Sequence, residues 1–126
     1  MQGKRGHERF LVEGLEIKGK MMFAARVKIL NISLSGVAIE TDKRLDIGSE
    51  YSLTIEDRDG VLSVKGVVVW SRVNGHERGL GGHMIPIYIA GMKFRDPINE
   101  GIEKIIRLAE DHMKGEDTED GGRHPV

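Results

Sequence analysis

The sequence predicts a mainly β fold, a six-stranded antiparallel β-barrel with a C-terminal α-helix. Three observations carry this. Apolar and polar residues alternate along several short stretches between residues 10 and 94, the period of half-buried strands. Turn-forming residues separate those stretches, and Asp57-Arg58-Asp59-Gly60 reads as a hairpin turn between two of them. After Asp96-Pro97 the apolar period changes from two to three and four, as on one face of a helix.

The elements follow in order. Residues 1–9 are polar, with two glycines, and read as a flexible basic arm. Phe10 to about Lys18 is strand-like, with Gly14 marking a bulge. Met21, Phe23, Ala25, Val27 and Ile29 occupy alternate positions of a second strand. Asn31 to Gly36 is turn-forming; Val37 and Ile39 belong to a third strand. Tyr51, Leu53 and Ile55 give a fourth. Leu62, Val64, Val68 and Trp70 line the apolar face of a fifth. Asn74 to Gly82 holds four glycines and reads as a loop. Met84 to Phe94 is the last strand, with Pro86 near its start, where an edge tolerates it. Asp96 suits an N-cap and Pro97 a first helical position. Ile98, Ile102, Ile105, Ile106, Ala109 and Met113 form the helical stripe, and Gly115 ends it. The barrel with its helix thus spans residues 10–113, and residues 114–126 are expected to be a disordered acidic tail. Closing the sheet would remove its exposed edges.

Composition narrows the function. The chain has 126 residues, enough for one modest core, with 19 basic and 20 acidic side chains. That balance argues against a general nucleic-acid binder, which needs a basic excess and several aromatics for stacking. Only six aromatic residues are present, mostly at expected core positions. Charge is unevenly placed: residues 1–30 carry seven basic against three acidic side chains, residues 96–126 four against nine. Without cysteine, thiolate catalysis, disulfides and zinc–thiolate sites are excluded. The five histidines lack ligand spacing, so no metal is expected. No apolar run is long enough to span a bilayer and no signal-peptide pattern opens the chain, so a cytoplasmic protein is expected. No grouping of serine, histidine and carboxylate suggests an enzyme.

Two short motifs remain. Arg5-Gly6-His7-Glu8-Arg9 reads RxxxR, and Asn31-Ile32-Ser33-Leu34-Ser35-Gly36 reads NxSxxG. Two guanidiniums four positions apart form a clamp for phosphate or a planar base, each with a rigid donor fork and a flat cationic face. The second motif offers an amide, a small hydroxyl and a glycine that allows close backbone approach. Together they suggest a pocket for a compact guanine nucleotide.

Both motifs, in this order, resemble those of the PilZ domain, a bacterial receptor for the second messenger cyclic di-GMP. Val67-Val68-Val69-Trp70 resembles that family's strand ending in tryptophan, and Gly91-Met92-Lys93-Phe94 its last barrel strand. The resemblance covers roughly residues 4–113. It implies that the arm folds over cyclic di-GMP, with Arg5 and Arg9 on phosphate or guanine. Asn31, where aspartate is commoner, would meet a guanine edge or bond its own turn. Ser33 would approach the ligand or cap the turn, and Gly36 would leave room by lacking a β-carbon or by adopting positive φ. Lys4, Ser35 and Trp70 are secondary candidates: Lys4 for phosphate, Ser35 chiefly for the turn, and Trp70 for base stacking, although alternation favours the barrel core for Trp70. The implied function is a cyclic di-GMP receptor that changes arm conformation and surface for an unknown downstream partner, with no cofactor. The alternative is a PilZ-like adaptor working through protein contacts without nucleotide.

Overall fold

The computed structural model describes residues 8–12, 14–22, 24, 26–96 and 99–123, with side chains up to His112. Its strands are β1 (Phe10–Leu11), β2 (Lys18–Lys20), β3 (Val27–Ile32), β4 (Gly36–Thr41), β5 (Glu50–Asp57), β6 (Gly60–Arg78) and β7 (Met84–Phe94), followed by helix α1 (Glu100–Arg123). All pair antiparallel in one seven-stranded sheet of order β1-β3-β4-β7-β6-β5-β2.

Seven strands replace the expected six because the first stretch is two strands. Gly14 adopts φ +91°, a left-handed conformation, and the Leu15 amide donates to the Val12 carbonyl at 3.0 Å. The chain turns there, sending β1 and β2 to opposite ends of the sheet. The sheet is a half-barrel, and hydrogen bonds do not close it. Its ends approach through side chains instead: a β-carbon on Gly19 of β2 would lie 3.0 Å from Ile29 Cγ1 and 3.1 Å from Val27 Cγ1 of β3.

Other boundaries also move. The strand expected from Met21 begins only at Val27, as β3; before it the Ala24 amide donates to the Met21 carbonyl at 3.3 Å. Of the expected alternation there, Phe23 and Ala25 lie outside the described residues. Asn74 to Arg78 belong to β6 and are not a loop. Gly75, at φ +88°, sits where the β6–β7 register shifts between Val73 and His76, so glycine makes a bulge within a ribbon. The β5–β6 hairpin is as read: Asp57 Oδ1 accepts from the amides of Asp59 at 2.8 Å and Gly60 at 3.0 Å.

The concave face holds the core. Ile29, Ile32, Val37, Ile39, Leu53, Ile55, Val68 and Met92 are all buried on it. Helix α1 covers this face with Ile102, Ile105, Ile106 and Ala109. Each fully buried isoleucine stabilises by about 1.5–3 kcal/mol, enough to hold the helix against the sheet. Asn99 caps it: its Oδ1 accepts from the Ile102 amide at 3.1 Å. Asp96 is therefore not the cap, and Pro97 and Ile98 lie outside the described residues, as does the Met113 side chain. The helix continues past Gly115 to Arg123, since one interior glycine costs only about 1 kcal/mol and does not by itself end a helix.

Candidate functional site

The site forms where the arm joins the sheet. Phe10 is buried and pairs with Ile32, while Leu11 pairs with Asn31. This short ladder plants Arg9 beside the β3–β4 turn. There the Arg9 Nη1 donates to Asn31 Oδ1 at 2.9 Å. Its Nη2 would lie 3.4 Å from a β-carbon on Gly36, so the guanidinium rests over the glycine. Partial burial lowers the Arg9 pKa from its ordinary value, yet a guanidinium remains charged. Lys4 and Arg5 lie outside the described residues.

The turn is built by Ser33. Its side chain is fully buried, and its Oγ accepts from the amides of Ser35 at 3.2 Å and Gly36 at 3.1 Å. The Ser33 amide donates to the Gly36 carbonyl at 2.8 Å. The Ser35 hydroxyl stands 3.2 Å from the Ser33 Oγ, and the Ser35 carbonyl accepts from the Phe94 amide at 2.8 Å. Of the two serines, Ser35 is the less buried. Gly36 is required for close approach: a β-carbon there would fall 2.3 Å from the Met92 carbonyl oxygen. Its φ is not positive.

Register then extends the site across the sheet. Asn31 pairs with Ala38, Ala38 with Gly91, and Gly91 with Trp70. These four residues form one lateral row on the convex face, about 14 Å from end to end at ordinary strand spacing. The two middle residues are small and buried, with Arg9 and Asn31 at one end of the row and Trp70 at the other.

Trp70 does not belong to the core. It is 38% exposed and lies on the convex face. The cause is a bulge: Val68 pairs with Met92 but Trp70 with Gly91, so β6 carries one extra residue, Val69. Simple alternation from Val68 puts Trp70 inside; the bulge reverses its side. The indole crosses Gly91, and Arg72 stands over its ring with Cζ 5.4 Å from the ring centroid.

Arg9, Asn31, Ser35 and Gly36 thus come together, with Ser33 beneath them. Four further residues escaped the sequence reading: Ala38, Gly91 and Arg72, just described, and Lys93, which pairs with Gly36. Alternation signals two of them, since Ala38 lies between Val37 and Ile39 and Lys93 between Met92 and Phe94. Gly91 and Arg72 depend on the bulge. Among the described residues no cluster of histidine and carboxylate side chains could hold a metal ion. No helix among them is long and apolar enough to cross a membrane.

Comparison with known proteins agrees with this fold. The PilZ domain of YcgR from Escherichia coli, solved with c-di-GMP, superposes with a TM-score of 0.63 over 95% of this chain and 98% of that one. The two are 11% identical, so the likeness is one of fold. No curated protein matches the chain. The family model described as PilZ domain matches residues 4–111, a span holding both arginines, the turn and the tryptophan, and the chain therefore belongs to the PilZ domain family.

Proposed function

We propose that this protein is a receptor for cyclic di-GMP and that the ligand lies over the row between Arg9 and Trp70. The observation that carries this reading is the seating of Arg9 over Asn31 and Gly36, which joins the two motifs at one end of a flat, small-residue row. A cyclic dinucleotide presents two phosphodiesters and two purine faces. Arg9 and Arg5 would supply cations for phosphate and flat faces for a base, and Lys4 of the same arm a further cation for phosphate. Asn31 turns from Arg9 to a guanine edge, Ser33 holds the turn rigid, Ser35 offers a hydroxyl at its surface, and Gly36 leaves room above it. Trp70 offers a stacking face once Arg72 shifts or closes over the base. The structural neighbour carrying the same ligand supports the choice of nucleotide.

No bond of the ligand is broken in this role. The output is a changed surface: the arm changes conformation, Arg9 exchanges its Asn31 contact for ligand, and a downstream partner reads the difference. Fixing one residue in a single conformation costs about 1–2 kcal/mol, which charge-assisted hydrogen bonds of about 1.5–3 kcal/mol each offset.

Calorimetric titration with cyclic di-GMP tests the proposal. Saturable heat is expected from the wild-type protein, with binding abolished in Arg5→Ala and Arg9→Ala and circular dichroism unchanged. Unchanged affinity in both variants overturns the clamp. An absence of heat from the wild-type protein overturns the receptor reading in favour of an adaptor working through protein contacts.

A further inference from the structure

We infer that Lys93 is a strand-mounted cation of this site, contacting a ligand phosphate from the side opposite the arm. The inference rests on the receptor reading and adds to it a residue that belongs to neither motif.

Four observations lead to it. Lys93 pairs directly with Gly36 across the β4–β7 ladder. Its neighbours Met92 and Phe94 are both buried, so alternation sends the exposed Lys93 side chain to the convex face. A β-carbon on Gly36 would lie 3.4 Å from both the Lys93 Cα and the Arg9 Nη2, so the two cationic residues flank one glycine. Finally, the Lys93 ammonium has no carboxylate partner among the described residues, whereas Arg95, two positions on, is tied to Glu50 at 3.3 Å.

The physical consequence is a division of labour. Arg9 precedes a two-residue strand, and its guanidinium must exchange the Asn31 contact for ligand. Lys93 sits on an eleven-residue strand paired on both sides, so its Cα is fixed before ligand arrives. Its flexible stem ends in a point charge that suits phosphate and does not read a base. A phosphodiester over Gly36 would then lie between a guanidinium that changes partner and a lysine on a rigid mount.

The test is calorimetry with cyclic di-GMP at two salt concentrations, on wild type, Lys93→Gln, Lys93→Arg and Lys43→Gln. Lys43 lies beyond the far end of β4 and controls for net charge. Lys93→Gln is expected to bind roughly fivefold to tenfold more weakly, the effect of one partly screened charged contact. Its affinity should also depend less steeply on salt. Lys93→Arg and Lys43→Gln should resemble wild type. A wild-type protein that binds while Lys93→Gln matches it overturns this inference and leaves the receptor standing. Weaker binding with an unaltered salt slope also overturns it, because loss of packing rather than charge would be responsible. Silence from the wild-type protein overturns the receptor and this inference together.

Discussion

Trp70 lies across Gly91: a β-carbon on that glycine would stand 2.1 Å from the indole Nε1. The two residues pair on adjacent strands, and the bulge at Val69 brings the indole over its neighbour's backbone. A methyl group at position 91 must push the ring outward. In Gly91→Ala the lost contact destabilises the fold, while removing a glycine from the unfolded chain stabilises it by about 0.4–1 kcal/mol. Stability should therefore change little. The expected signal is optical: Trp70 is the sole tryptophan, and its emission should shift to the red as the ring meets more water. An unshifted spectrum would place the indole elsewhere.

The same bulge shows where the sequence stops being readable. Period-two alternation identified the strands around Val37, Leu53, Val64 and Met92, and the helical stripe from Ile102 to Ala109. Those patterns reflect burial and survive in any register. Gly14, Val69 and Gly75 instead alter the parity or path of a strand; in one dimension Gly14 reads as a bulge within a single strand, Val69 as an ordinary strand residue and Gly75 as a loop glycine. Hence alternation alone favours the core for Trp70, merges β1 with the start of β2, and reads Asn74 to Arg78 as part of a loop. The motifs name Arg9, Asn31 and Gly36; alternation turns Ala38 and Lys93 outward, but only pairing of strands distant in sequence brings them, with Gly91, to the site.

Gly36→Ala should be costly. The added carbon would meet the Met92 carbonyl oxygen at 2.3 Å, and both partners are backbone within paired strands. Neither can rotate away as a side chain does, so β4 and β7 must separate locally. A loss of about 1–3 kcal/mol is expected from such overpacking, read as a lower urea midpoint at unchanged slope. Arg9 would also lose its seat, so cyclic di-GMP binding should fall with stability. A variant as stable as wild type would contradict the close approach.

The helix is tied to the β5–β6 hairpin by Lys104 and Asp59 at 2.9 Å. Hydrogen bonding to Lys104, with its charge, holds the Asp59 pKa below the ordinary value; the same bond and charge raise that of Lys104. The Asp59 contribution is full above the ordinary carboxylate range and disappears as pH falls through its lowered value. The Lys104 contribution is full below the ordinary lysine range and disappears as pH rises through its raised value. The pair therefore supports the fold across neutral pH and fades at both extremes. Both groups are exposed, so the effect is small and salt-sensitive. Urea midpoints against pH should show a flatter profile for Lys104→Met than for wild type at low salt, and no difference at high salt.

Asn31→Asp separates the contact with Arg9 from the proposed contact with a guanine edge. In the unliganded protein, Asn31 gives Arg9 a neutral acceptor at 2.9 Å. An aspartate would make the contact an exposed ion pair, worth under about 1 kcal/mol and screened by salt. Toward the ligand the change is larger, because a carboxylate accepts guanine N–H groups with charge assistance. Charged hydrogen bonds exceed neutral ones by about 1 kcal/mol, which corresponds to roughly fivefold in affinity. The gain on the base outweighs the stronger hold on Arg9, so cyclic di-GMP should bind Asn31→Asp more tightly at neutral pH. That advantage requires the ionised carboxylate and should vanish as pH falls through the carboxylate range, whereas the wild-type amide has no such dependence. Titrations at neutral and acidic pH distinguish the cases. Equal or weaker binding by the aspartate variant at neutral pH would mean that Asn31 serves the turn and Arg9 and does not reach a guanine edge.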